Sequence, residues 1–377
     1  MKILFYFGPK RGFDKQLPCE RKTLSELVAE DDAKRKQVTH VAKSEDGREV
    51  EPIKIGKLYC ENLVAYSESY SGITESAVQG FLNILGDYKI DHLYLQNPPT
   101  QIQHQLIQTY PTMVSVRKFG YKKFSKSMFH KIDEQFERKI IGQIKVKKRL
   151  LISLYPLIAK NVKRKPVVMM FYGNSGIGKT ETARFISEIM GQKLLRKQLS
   201  MFQSGEFQNY LFGGNHAQSC FARDLLERES NVILLDEFDK LHPVFHNAFY
   251  QLFDEGVFED KNYKVELYNS IIICTSNYQS EAEIRKNLGD PIFFRFDKFI
   301  HFEDLDIGAL KLIISKHIEE RFEKLSHPDK LIVDREYIKK QLYDNVTRLS
   351  NVRQISNIVE EYFGMQLVEN ILENGRK

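Results

Sequence analysis

The apolar, β-prone stretch Pro166–Tyr172 runs directly into Gly173-Asn174-Ser175-Gly176-Ile177-Gly178-Lys179-Thr180, and Glu181–Met190 then follows with helical periodicity. A strand, a glycine loop and a helix in this order demand an α/β fold. The glycines let the backbone curl so that successive N–H groups point at phosphate oxygens, and the positive end of the following helix reinforces them. In such a loop Lys179 is placed to reach the outer phosphates of a nucleotide and the Thr180 hydroxyl to bind Mg²⁺. The expected ligand is therefore ATP with Mg²⁺, held along Gly173–Thr180.

Two further strands supply the rest of the chemistry. Val232–Leu235 is apolar and ends in Asp236-Glu237, far enough along the chain to be another strand of the same sheet. At its tip Asp236 can hold Mg²⁺, while Glu237 can orient and polarise the water that attacks the γ-phosphate. Ser270–Cys274 is a third such strand and ends in Thr275-Ser276-Asn277. An amide at Asn277 would sit between the other two tips and bind the same water.

From about Ile140 to Arg353 the chain resembles the Clp branch of AAA+ unfoldases. Ile141-Gly142-Gln143 is similar to the motif that the family places beside the adenine, and Glu181 matches the glutamate that follows its phosphate-loop threonine. Leu235–Pro243, Phe249–Asp260 and Ile271–Asn277 continue the resemblance. It implies that Arg295, in Pro291–Asp297, is an arginine finger reaching the ATP of a neighbouring subunit. It also implies that Arg353, in Asn351-Val352-Arg353, senses the γ-phosphate from a helical lid. A homo-oligomeric ring, hexameric by this resemblance, and an AAA+ sheet domain with a C-terminal α-helical lid follow as expectations. Three apolar stripes fit the lid: Leu310 to Phe322, Tyr337 to Val346, and Ile355 to Tyr362, each at helical spacing.

The chain departs from the family where polypeptide is gripped. The aromatic loop before Asp236 is replaced by a shortened stretch, Tyr210–Ala217, which leaves Phe212 or His216 as substitutes and Tyr263 as a second contact. No tripeptide that would dock a ClpP-like peptidase follows Glu237.

Ahead of this module, residues 1–116 read as a small α/β domain, with strands at Lys2–Phe7, Asn62–Tyr66 and His92–Leu95 and a helix over Glu75–Leu85. Lys22–Lys57 is polar and reads as a long loop. His92 and His104 read as packing residues. Residues 117–131 carry six Lys or Arg and four aromatics without an acid, which fits either a solvated linker with docking aromatics or a strip that stacks on single-stranded nucleic acid. The domains expected are thus 1–116, a basic linker 117–131, a large P-loop domain 132–305 and a lid 306–377.

Composition narrows the setting. A net charge of +6 spread over 56 basic and 50 acidic groups is too mild to imply nucleic acid by itself. No run is long enough to cross a bilayer, the apolar start is too short for a signal peptide, and the 4 cysteines show no metal spacing, so a cytoplasmic protein with reduced thiols is expected. The first function expected is ATP-driven remodelling or unfolding of a protein partner selected by residues 1–116. The alternatives are a nucleotide-regulated switch in a signalling or defence system and a nucleic-acid-associated ATPase, the latter drawing on 117–131 with Lys160, Lys163, Arg164 and Lys165.

Overall fold

A computed structural model describes residues 1–41, 56–159, 165–201, 204–215 and 218–374. The chain divides into two units. One comprises Met1–Tyr121, Phe202–Glu229 and Gly256–Leu267, the other Lys122–Met201, Ser230–Glu255 and Tyr268–Lys377.

The first unit is built on a parallel sheet of β1 (Lys2–Phe7), β2 (Lys22–Thr23), β3 (Leu58–Ala65), β4 (Tyr88–Gln96) and β5 (Val114–Lys118), in the order β2-β3-β4-β1-β5. Its core gathers Ile3, Phe5, Leu63, Leu93 and Leu95 from the strands with Val78, Phe81, Ile102 and Leu106 from helices. The expected helix over Glu75–Leu85 is two, Glu75–Gln79 and Phe81–Gly86, divided at Gly80.

The polar segment Lys22–Lys57 is not a loop throughout: after β2 it forms the helix Leu24–Val41, while residues 42–55 lie outside the described residues. A capping box starts this helix. The Thr23 N–H donates to Glu26 Oε2 at 2.7 Å, and the Glu26 N–H donates to Thr23 Oγ1 at 3.3 Å. Among its described side chains Leu24 and Leu27 are the buried apolar ones, a stripe too short to show as a period.

The second unit holds β6 (Val167–Tyr172), β7 (Leu195–Gln198), β8 (Val232–Asp236), β11 (Ile271–Thr275) and β12 (Lys298–His301), in the order β12-β6-β11-β8-β7. All neighbours are parallel. Every residue of β6, β8 and β11 is buried, as expected for parallel strands covered on both faces. Phe136, Phe185 and Ile186 pack on them from helices Lys126–Lys139 and Lys179–Met190. The last part of this unit is helical, with Ile307–Glu323, His327–Ile332, Arg335–Asp344 and Val352–Asn374 around Ile314, Ile338, Ile355 and Phe363.

Two departures from the sequence reading concern boundaries. The stretch 117–131 is not a plain linker: its start belongs to β5 and its end to the helix Lys126–Lys139, which Ser125 caps. Its aromatics turn inward. Phe124 is in the core of the second unit and Phe129 packs against it, while Phe119 joins a cluster with Tyr6 and Phe13 and the Arg228 guanidinium lies 4.0 Å from the Tyr121 ring. That removes the stacking surface on which the nucleic-acid alternative drew. Lys160, Lys163 and Arg164 lie outside the described residues.

The second departure is larger. Residues 202–229 and 256–267, expected within 132–305, belong to the first unit. They include the hairpin β9 (Val257–Glu259) and β10 (Lys264–Glu266). The Thr100 N–H donates to Asn262 O at 2.8 Å, Arg223 Nη1 donates to Ser71 Oγ at 2.6 Å, and Lys261 pairs with Glu75 at 3.1 Å. Tyr263, expected at a pore, is 3% exposed. Phe212 is 39% exposed, and His216 lies outside the described residues.

Because the Tyr263 hydroxyl is buried without a hydrogen-bond partner, its ring rather than its oxygen carries the packing. Tyr263→Ala is expected to cost about 3 kcal/mol in denaturant unfolding and Tyr263→Phe less than about 1 kcal/mol.

Candidate functional site

The register of the second sheet brings the tips of β6, β8 and β11 to one edge. Thr275 pairs with Phe171, and Cys274 pairs with Leu235, so Thr275 stands level with Asp236. The chain leaves β6 through Gly173, whose φ of 127° and closeness to Phe302 O (2.3 Å from an added Cβ) admit no side chain. The loop ends at Gly178, left-handed at φ 110°, which caps the helix that begins at Lys179.

A cavity of about 510 Å³ opens at this edge. Ser175, Gly176, Ile177, Gly178, Lys179, Thr180 and Glu181 line it, with Asp236, Glu237, Asn277, Ile141 and Arg353. Gly173 and Asn174 are not on its wall: Asn174 is tied by its amide to Asp304 at 2.6 Å and to Gln279 at 2.9 Å. Gly142 is also off the wall. Its φ of 79° and the 2.8 Å approach of Ala309 Cβ to an added Cβ make it a packing position.

Lys179 folds back on its own loop. Its ammonium donates to Gly173 O, to Asn174 O at 2.7 Å and to Asn277 Oδ1 at 3.1 Å. Burial pushes its pKa down to about 8, against the pull of Asp239 and Asp236. Thr180 Oγ1 stands 3.5 Å from both carboxylate oxygens of Asp236. A hydroxyl beside one carboxylate is a hard-oxygen donor set of the kind that holds Mg²⁺ together with phosphates and water.

Asp236 is 5% exposed and satisfied on both oxygens. The Thr275 hydroxyl donates to Oδ1, and Arg196 donates to Oδ2 from Nε at 2.9 Å and from Nη2 at 2.6 Å. Glu237 sits at φ 58°, left-handed, which costs a non-glycine residue about 1–3 kcal/mol. Its N–H donates to Thr275 Oγ1 at 2.9 Å, and Gln198 Nε2 donates to its carboxylate at 3.2 Å. The strained backbone is thus held from two neighbouring strands.

The helical part of this unit closes the cavity. The Val352 N–H donates to Gly176 O at 2.9 Å, and Arg353 reaches Ser175 Oγ at 3.5 Å. Ile313, Lys316, His317 and Glu320, at spacings of one helix face, complete the wall. Near Ile141 and Leu305 it is apolar, which suits a base.

Arg295 is not brought to this cavity. Its Nε donates to Asp254 at 2.8 Å and its guanidinium lies 4.1 Å from the Tyr250 ring. Arg196, Gln198 and Thr275 were missed by sequence reasoning. Thr275 stands inside the motif that was read, but Arg196 and Gln198 lie on a short edge strand whose four residues carry no pattern.

A family profile described as an AAA domain of the Cdc48 subfamily matches residues 164–325, and the Torsin profile matches residues 116–210. The chain is 33% identical over 175 residues to the AAA+ ATPase ClpV1 of Pseudomonas aeruginosa, covering 42% of this chain and 19% of that protein. It is 25% identical over 232 residues to the chaperone protein ClpB of Malacoplasma penetrans, covering 54% of this chain and 32% of that protein. The chain therefore spans a third or less of the length of these relatives. Among solved structures, a closed-state reconstruction of Hsp104 with ATPγS and FITC-casein covers 99% of this chain and 89% of the other at a TM-score of 0.54 and 13% identity, a likeness of fold.

Phosphate oxygens favour the charged form of Lys179, so binding of a nucleoside triphosphate must supply the missing proton above pH 8. Affinity is expected to stay level below about pH 7 and to fall by up to tenfold per unit above the Lys179 pKa. Calorimetry in buffers of different ionisation enthalpy should show proton uptake only on that alkaline side.

Proposed function

From the premise that the chain carries a Clp-like AAA+ module, we propose that it binds ATP with Mg²⁺ and hydrolyses it in a ring, coupling turnover to the remodelling of a protein partner. The convergence of Lys179, Asp236, Glu237, Asn277 and Arg353 on one cavity supports this reading. The curated relatives carry names of ATPases and chaperones, and the reading extends that chemistry to this chain.

On this reading the loop N–H groups and Lys179 bind the phosphates, Lys179 exchanging its loop carbonyls for charged oxygens. Thr180 and Asp236 hold the Mg²⁺, which supplies charge neutralisation at the outer phosphates. Glu237 accepts a hydrogen bond from the attacking water and polarises it, and Asn277 fixes that water from the neighbouring strand. Ile141 and Leu305 seat the base, and Arg353 ties the helical lid to the γ-phosphate. Arg295 has no role in its own cavity; it would complete the site of the adjacent subunit in a homo-oligomer, hexameric by resemblance. Residues 1–116, together with the segments that fold with them, would select the partner.

The switch reading is favoured by one observation. Tyr263, expected as a second contact on polypeptide, is 3% exposed and belongs to the packed interior of the first unit, which leaves Phe212, 39% exposed, as the accessible one of the two described candidates. A protein that changes assembly with nucleotide, without threading a chain, needs no such grip.

Glu237→Gln should keep ATP binding and lower turnover by at least about a hundredfold, because it removes the group that polarises water and leaves the phosphate contacts. Light scattering on that variant with and without ATP-Mg²⁺ tests the ring; a species that stays monomeric with ATP bound supports the switch. Arg295→Ala should leave ATP affinity within about twofold and reduce turnover about a thousandfold. Unchanged turnover in that variant would remove the shared site.

A further inference from the structure

Arg196 stands apart from the residues that a phosphate loop requires. It comes from the edge strand β7, whose Arg196 is in register with Leu234 and whose Gln198 is in register with Asp236. From there its guanidinium places two donors on a single oxygen of Asp236, Nε at 2.9 Å and Nη2 at 2.6 Å. Its side chain is 41% exposed against 8% for that of Asp236. An arginine against a proposed metal carboxylate can do one of two things. It can compete with the metal for the oxygens, or it can hold the carboxylate in the orientation that the metal needs.

The geometry points to the second role: we propose that Arg196, with Thr275, is a positioning residue that fixes the carboxylate plane of Asp236 for Mg²⁺. The proposal rests on the reading of Asp236 and Thr180 as the metal's protein ligands. Arg196 uses only Oδ2, and the Thr275 hydroxyl uses Oδ1. Oδ1, which accepts from Thr275 alone among these donors, keeps a further lone pair, and Thr180 Oγ1 lies equidistant from the two oxygens at 3.5 Å. One donor group on each oxygen stops rotation about the Cβ–Cγ bond and leaves the Thr180 side free. Outer partners of this kind set the orientation of a ligand and strengthen it, and their loss typically weakens metal binding 10- to 100-fold. Repulsion between the guanidinium and Mg²⁺ opposes this, but the arginine is exposed enough for solvent to screen it.

The same interaction supplies a restraint on the water-polarising residue. Thr275 Oγ1 accepts from the Glu237 N–H while donating to Asp236, so a carboxylate held at Oδ2 by Arg196 also fixes the hydroxyl on which the Glu237 backbone leans. Arg196 therefore acts through Asp236 and Thr275, and not on the phosphates.

The test is binding of a fluorescent ATP analogue to the full-length protein, titrated with MgCl₂ and repeated in EDTA. In the wild-type protein Mg²⁺ should strengthen binding, and Asp236→Asn should abolish that gain. If the wild-type protein binds no nucleotide, or Mg²⁺ has no effect on it, the reading of the site fails and this proposal with it. Given a Mg²⁺ effect, Arg196→Ala should raise the Mg²⁺ concentration for half-maximal effect by about tenfold or more while changing affinity in EDTA less than about twofold. Arg196→Lys should fall between, since a single ammonium restores charge without the fork. An unchanged or lowered Mg²⁺ requirement in Arg196→Ala overturns the proposal, the lowered one because it would make Arg196 a competitor. A loss in EDTA as large as that in Mg²⁺ also overturns it, because Arg196 would then touch phosphate directly. The half-exposed position of Arg196 on an edge strand makes folding of both variants expected, and a thermal midpoint checks it.

Discussion

The alignment of three parallel strand ends is the constraint on which the site depends. Cys274 is in register with both Leu235 and Met170, and Thr275 with Phe171. A slip of one residue between β11 and β8 would turn Thr275 away from Asp236 and send alternate side chains to the opposite face. What opposes the slip is the packing of one face: Ile271, Ile273, Val232 and Leu234 all face the same core as Phe136 and Ile186. The hydrophobic register of the sheet thus becomes the polar register of its edge. The geometry of the candidate site is inherited from apolar packing.

That dependence explains what was legible in the sequence. Pro166–Thr180, Asp236-Glu237 and Asn277 show themselves because a glycine loop or an acidic strand tip interrupts a strongly apolar run. The lid was legible for the same reason, since Leu310, Ile313, Ile314 and Ile318 repeat on a helix face. Arg196 and Gln198 were not, because Leu195–Gln198 pairs with β8 along one side only and is held by that pairing more than by its own residues. The helix Leu24–Val41 was hidden by its charge: Thr23 and Glu26 start it, and Leu24 and Leu27 are the buried apolar residues among its described side chains. The aromatics of 117–131 looked like a binding strip because sequence shows their type but not the direction in which they point.

The segments that join the first unit from beyond residue 121 could not be read, because their place in it is a property of long-range closure. Residues 202–229 connect β7 to β8, and residues 256–267 connect the helix Tyr250–Glu255 to β11, yet they bury Phe207, Phe221, Phe258 and Tyr263 within the first unit. Each is an excursion from nucleotide-site elements into the domain proposed to meet the partner. The chain therefore passes between the two units at several points, not at one hinge.

The electrostatics of the cavity show why a ligand would reorganise it. Lys179 is buried, donates to two loop carbonyls and to Asn277, and is held below its ordinary pKa. Those bonds satisfy its protons but supply no counter-charge, and phosphate oxygens would offer both. Releasing the carbonyls of Gly173 and Asn174 frees the loop that the Val352 N–H also grips through Gly176 O. A phosphate held by this loop would act on the same short stretch of backbone that the Val352 N–H grips.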